Sequence, residues 1–196
     1  MITFPNVGLI GKMRSGKDTV AAYLTQKYGY TRFAFGDALK DDFHRRYPEI
    51  PRDPKPRAGY QFHGQFMREH VDEDIWINTC LTKIDALDAE LMYTDAPLNA
   101  VITDCRQLNE AEALRAAGYT LIRVEAPEAV CIQRAIASGD SFDMRALTHD
   151  TETALDGYAA DFTVTNDAGL PELYAQIDEV MAVLHEGGVR PLDCEP

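Results

Sequence analysis

The segment Gly11-Lys12-Met13-Arg14-Ser15-Gly16-Lys17-Asp18-Thr19 constrains this chain more than any other. It follows a short apolar run, Ile2–Ile10, of the kind that forms a buried strand. It precedes Val20, Ala21, Leu24 and Tyr28, apolar or aromatic residues at helical spacing. Strand, glycine loop and helix in that order give Gly-x-x-x-x-Gly-Lys the context in which it cradles phosphate. Glycines let the backbone turn its N–H groups inward around phosphate oxygens, and the helix N-terminus adds a favourable partial charge. Lys17 supplies an ammonium to the β- and γ-phosphates, and Arg14 adds a second cation inside the loop. The competing reading, a glycine turn with an incidental lysine, does not account for the flanking elements. One position departs from the template: Asp18 stands where Ser or Thr is usual, and Thr19 follows. Asp18 can hold Mg²⁺ through water or simply cap the helix, and Thr19 can bond an α- or β-phosphate or the metal.

Charge is distributed unevenly. The formal net charge of the 196 residues is −13, yet residues 1–70 carry +5 and residues 71–196 carry −18. An acidic protein is a poor generic partner for nucleic acid or anionic membranes, and the basic first third is where an anionic ligand would sit. Cys80, Cys105, Cys131 and Cys194 form no Cys-x-x-Cys and no Cys/His cluster, so zinc is not expected. No signal peptide and no apolar run of about 18 residues is seen, and a reduced cytoplasmic setting is the expectation.

The rest of the chain alternates strands with helices. Strands are expected at Thr31–Phe35, Ala100–Thr103, Tyr119–Val124 and Phe162–Thr165. Helices are expected at Lys17–Lys27, Asp37–Tyr47, Gln61–His70, Glu73–Ala89, Asn109–Ala117, Glu128–Ala137 and Leu170–His185. Ile50–Gly59, with Pro51, Pro54 and Pro56, reads as a loop, and Ser138–Asp156 as a moving lid. This alternation implies a single α/β domain, a parallel sheet flanked by helices in three layers.

A second constellation is Val101-Ile102-Thr103-Asp104-Cys105-Arg106. It places an acid and a base at a strand's carboxyl end, where open α/β sheets bind ligands. Asp104 can orient hydrated Mg²⁺ and Arg106 can take a phosphate bidentately; a surface ion pair is the plainer alternative.

Residues 11–19 together with Ile102–Ala113 resemble the deoxynucleoside monophosphate kinases common in tailed phages, which share a fold with dephospho-CoA kinase and adenylate kinase. Softer similarity runs through 35–40, 64–68, 74–76 and 160–167, so the resemblance spans most of residues 7–181. It implies a P-loop kinase with ATP, Mg²⁺ and a nucleoside monophosphate acceptor, an acceptor-binding region at about 37–90 and a lid at about 134–156.

Within that frame, Lys40 is a candidate for the acceptor phosphate, and Asp37, one turn away, for a sugar hydroxyl or for positioning Lys40. An exposed helical ion pair is the alternative. Arg68, sharing a helical face with Gln65, is a candidate for the acceptor's α-phosphate, against a solvated helix arginine. Trp76 packs in the core or stacks on a nucleobase, as Phe62 can. Arg134, and more weakly Arg145, are candidates to close over the transferring phosphoryl group, and His149 reads as a helix-start residue.

The expected activity is transfer of the ATP γ-phosphoryl to a deoxynucleoside 5′-monophosphate, with Lys17, Arg14, Arg106 and Arg134 as the catalytic cations. A phosphate acceptor needs no strong base, only positioning and charge neutralisation. A hydroxyl acceptor would need one, and Asp37 is the candidate; animal-type phosphomevalonate kinase has a similar Gly-Lys-Asp loop. A nucleotide-binding protein without transfer is the rival from another class. A homodimer is a further expectation.

Overall fold

The computed structural model describes residues 4–91, 98–138 and 154–185. The expected lid falls outside these from 139 to 153, as do Arg145, His149 and Cys194. The chain divides into two compact units: residues 1–32 with 99–196, and residues 33–98.

In the first unit, β1 (Val7–Ile10) is buried along its whole length. A strand covered on both faces reads as a continuous apolar run, and Val-Gly-Leu-Ile is one. The sheet order is β2 (Thr31–Phe33), β3 (Ala100–Ile102), β1, β4 (Thr120–Glu125), β5 (Phe162–Thr165). The pairings of β1 with β3, β1 with β4 and β4 with β5 are parallel. Parallel strands end on one edge, so the segments after β1, β3, β4 and β5 share the carboxyl edge of the sheet.

Helix α1 (Lys17–Tyr28) buries Val20, Ala21 and Leu24 and ends where the Gly29 N–H returns to the Leu24 carbonyl. The C-terminal helix of the unit (Leu170–His185) buries Leu173, Ile177, Val180 and Met181, and both helices contribute to one core with β1, β4 and β5. Each such fully buried aliphatic side chain is worth roughly 1.5–3 kcal/mol. The two helices are also joined at Asp178, which accepts hydrogen bonds from Tyr23 Oη (2.8 Å), Tyr28 Oη (2.7 Å) and Lys27 Nζ (2.7 Å). Burial opposes ionisation of Asp178, but these three donors together hold its carboxyl below the usual range.

The second unit contains three helices among its described residues, α2 (Phe35–Arg46), α3 (Arg57–His70) and α4 (Ile75–Leu91). Phe43, Met67, Trp76, Ile77 and Ile84 are buried, and α2 packs against both α3 and α4. Asp42 accepts from His63 Nε2 at 2.8 Å and from Arg46 Nε at 2.7 Å, and pairs with Arg45. Burial again opposes ionisation, and the bonds from Arg45, Arg46 and His63 outweigh it, so the Asp42 carboxyl lies below its ordinary value.

Several boundaries differ from expectation by one or more residues, and three of the differences have a visible local setting. β1 starts at Val7, because Asn6 turns its side-chain oxygen to the Ala100 N–H (2.8 Å) and its carbonyl to the Thr120 N–H (2.8 Å). α2 starts at Phe35, two residues early, with Phe35 buried. α3 starts at Arg57, inside the stretch expected to be loop: Pro56 is its N-cap, and its carbonyl accepts from Tyr60 N–H at 3.0 Å. A proline at a helix start loses no intrahelical bond, so the third proline begins an element instead of extending the loop.

Candidate active site

The loop after β1 folds as its glycines permit. Gly11 has φ +140° and Gly16 has φ +111°, both conformations that side-chain-bearing residues rarely adopt. Arg14 sits at φ +63° despite its side chain, a local strain of the kind that concentrates at functional sites. Lys17, the first residue of α1, is buried, and its Nζ donates to the carbonyls of Gly11 (2.5 Å) and Lys12 (2.9 Å). The ammonium is thus held over the inside of its own loop. Lys12 points outward and pairs with Asp156 at 3.5 Å. Met13 is half-buried, Asp18 is exposed in the first turn of α1, and Thr19 is half-buried behind it. The N-cap of α1 is Gly16, with no side-chain cap hydrogen bond, and Asp18 is the acidic residue of the first turn.

Ser15 is 1% exposed, and its Oγ is a buried side-chain oxygen with no hydrogen-bond partner among the described residues. A buried hydroxyl left unpaired costs about 1–3 kcal/mol, a cost that a water or a ligand oxygen would relieve. With Lys17 and a positive-φ loop at a helix N-terminus, this donor set fits a polyphosphate.

The end of β3 lies beside the end of β1. Asp104 is half-buried and Arg106 exposed there. Glu110 fixes this corner: its Oε2 accepts the backbone N–H groups of Arg106 (2.7 Å) and Gln107 (3.0 Å), a capping box that starts α5 (Leu108–Ala116). Burial raises the Cys105 thiol far above its usual value, the charges of Glu110 and Asp104 raise it further, and the Lys17 ammonium opposes them. The Cys131 thiol is likewise raised by burial, against Arg134 and Lys17. Both thiols are therefore inert packing groups close to the lysine.

Arg134, on α6 (Glu128–Ala137), reaches the loop directly. Its Nη1 lies 3.3 Å from the Ser15 carbonyl and 3.4 Å from that of Arg14. Its Nη2 donates to Asn166 Oδ1 (3.0 Å) and to the Asn166 carbonyl (3.2 Å). Arg14 in turn donates to Ser138 Oγ at 2.8 Å, at the end of α6. Asn166 lies in the 160–167 stretch of softer similarity but is given no role there; its signal is the position just past β5, on the edge where the loop lies.

The helical unit holds the remaining candidates. Lys40 Nζ donates to Asp37 Oδ1 at 2.6 Å, on the first turns of α2. Gln65 donates to Glu69 at 2.6 Å, and Arg68 is half-buried near Gly64 and Leu39. Trp76 is 2% exposed, and its indole N–H donates to the Gly64 carbonyl at 3.2 Å. This burial and the indole bond suit the packing alternative for Trp76. Phe62 is exposed and stacks on Phe66. Among the described residues no three metal-ligating side chains cluster, and no helix is long and apolar enough to cross a membrane.

A parallel sheet whose first strand feeds a glycine loop with a buried lysine defines a class: this is a P-loop kinase fold. The family model described as AAA domain matches residues 7–148, and the chain belongs to that family. A mimivirus protein (Acanthamoeba polyphaga mimivirus) named "Putative deoxynucleotide monophosphate kinase" is 27% identical over 193 residues, covering 87% of this chain and 93% of the relative. The deoxynucleotide monophosphate kinase of Escherichia phage RB69 is 37% identical over 82 residues, covering 41% of this chain and 28% of its own length. Among solved structures, a gluconokinase from Sinorhizobium meliloti 1021 superposes with a TM-score of 0.54 at 19% identity, covering 94% of this chain and 95% of that one. A shikimate kinase from Aquifex aeolicus vf5 gives 0.52 at 16% identity, covering 93% and 99%. These two likenesses concern the fold.

Proposed function

We propose that this chain transfers the γ-phosphoryl group of ATP to a deoxynucleoside 5′-monophosphate, giving the diphosphate. The observation that carries the proposal is the loop: a buried lysine and a buried serine hydroxyl with no partner among the described residues sit in a turn with positive φ at Gly11, Arg14 and Gly16. The acceptor class is drawn from the mimivirus and phage relatives, whose names specify deoxynucleotide monophosphates.

In this reading residues 11–19 hold the ATP phosphates. Asp18, Thr19 and Asp104 are oxygen donors suited to Mg²⁺ directly or through water, as a hard cation requires. Bound Mg²⁺ supplies neutralisation of charge on the phosphate oxygens. Lys17, Arg14, Arg106 and Arg134 neutralise the charge that spreads over the transferring group. Lys40 and Arg68 take the acceptor phosphate, Asp37 orients Lys40, and Gln65 assists Arg68. The acceptor oxygen is already anionic, so attack needs alignment and not deprotonation.

The test is a mass-spectrometric screen of all deoxy- and ribonucleoside 5′-monophosphates with ATP·Mg²⁺. Diphosphate formation from one or more deoxynucleoside monophosphates is expected. Activity confined to hydroxyl acceptors, abolished in Asp37→Asn, would overturn the acceptor assignment. ATP binding with no product from any acceptor would overturn the enzymatic one.

A further inference from the structure

The carbonyl of Ser15 is gripped from one side. Asn166 Nδ2 donates to it at 2.8 Å in a buried bond, and Arg134 Nη1 approaches it at 3.3 Å. Asn166 is itself fixed: its backbone N–H donates to the Glu125 carbonyl at 2.7 Å, tying the end of β5 to the end of β4. Its Oδ1 accepts from Arg134 Nη2 at 3.0 Å, so both ends of the carboxamide are committed. The amide orientation follows, because a carbonyl demands the NH₂ end and a guanidinium demands the oxygen end.

The grip has a consequence one atom further along the chain. A trans peptide sets C=O and the following N–H antiparallel. Holding the Ser15 carbonyl toward Asn166 therefore turns the Gly16 N–H the opposite way. Gly16 also has no room for a Cβ: one built there would overlap the Asn166 carboxamide. Asn166 and Gly16 are thus shaped to each other, and the pair decides the direction of a backbone donor in the phosphate loop.

We propose that Asn166 is a positioning residue of the phosphate loop, orienting the Ser15–Gly16 peptide and Arg134 together for a nucleoside polyphosphate. The proposal rests on the nucleotide reading given above and adds a residue outside the loop motif to it. Asn166 acts through the peptide plane and touches no reacting atom.

Two variants separate the roles. Asn166→Asp keeps an acceptor for Arg134 but sets a carboxylate oxygen against the Ser15 carbonyl; Asn166→Ala removes both bonds. Binding of a non-hydrolysable ATP analogue and of inorganic tripolyphosphate is measured by calorimetry on the full chain, alongside a thermal melt. Both variants are expected to weaken both ligands at least about tenfold, the scale of one lost buried hydrogen bond. Steady-state assays should show the loss in KM for ATP, with KM for the acceptor unchanged. Unaltered affinity in both variants would overturn the proposal. A loss for the ATP analogue alone would overturn it in favour of a base contact, since tripolyphosphate carries no base. Variants unfolded at the titration temperature would make Asn166 a structural residue and overturn it as well. A wild-type chain that binds neither ligand would remove the nucleotide reading itself, an outcome distinct from the other three.

Discussion

Lys17 Nζ lies 2.5 Å from the carbonyl oxygen of Gly11, so the loop's own backbone aims its lysine. The second bond, to Lys12, comes from the same strand-to-helix turn. These are bonds to neutral carbonyls. A phosphate oxygen is a stronger partner for the same donors, because a charge-assisted bond gains roughly twice as much.

Lys17→Ala should therefore lower turnover by about 10³-fold while leaving the fold intact, the scale seen when one preorganised donor to a developing charge is removed. Lys17 Nζ bonds to the Gly11 and Lys12 carbonyls of its own loop, so the far-UV melting curve should barely move. Coupled-assay turnover near the wild-type value would sink the assignment of residues 11–19 to phosphate.

Gly16→Ala meets two obstacles at once: a backbone at φ +111° and the Asn166 carboxamide in the space a methyl group needs. The expected outcome is a loss of about 1–3 kcal/mol in unfolding free energy, with ATP affinity falling at least tenfold. Chemical denaturation and calorimetry read the two effects. A stable variant with unchanged ATP affinity would show that the loop adopts another conformation.

Asp42 should make the helical unit acid-sensitive. Its carboxyl is held below the ordinary value in the folded chain. A depressed folded value contributes stability above the unfolded value of about 4, and that stability is lost as pH falls through the folded value. Asp42→Asn should cost roughly 1–3 kcal/mol at neutral pH, the range for hydrogen bonds to a charged group. The gap between variant and wild type should close on acidification below pH ~4. A gap independent of pH, measured by urea titration at several pH values, would contradict this.

Trp76→Phe tests the packing role directly. The variant keeps an aromatic ring but removes the indole donor to the Gly64 carbonyl. A stability loss of about 1–3 kcal/mol is expected, with KM for the acceptor within about twofold of wild type. The reverse pattern, a large rise in KM with unchanged stability, would return Trp76 to the substrate.

Much of the architecture was legible because periodicity and punctuation agreed. The helices Glu128–Ala137 and Leu170–His185 and the strand Phe162–Thr165 have the bounds their patterns predict. Where patterns competed, tertiary context decided, as at Pro56, which begins α3, and at Asn6, whose hydrogen bonds tie it to Ala100 and Thr120 ahead of β1. The loop motif was equally legible, since its glycines and lysine have few other uses together. Asn166 was not, because its effect passes through a backbone carbonyl, and a sequence names side chains without saying which carbonyl they will grip. Glu110 was hidden for the same reason: it serves the N–H groups of Arg106 and Gln107.

The chain has one tryptophan, and it is buried in the 33–98 unit. Excited at its red edge, the protein will emit from that unit alone, from an indole shielded from water. Its wavelength and intensity then track the melting of the helical unit, while the nine tyrosines and the backbone signal report the chain as a whole. A single optical experiment can thus ask whether the two units unfold together or in turn, with no label attached.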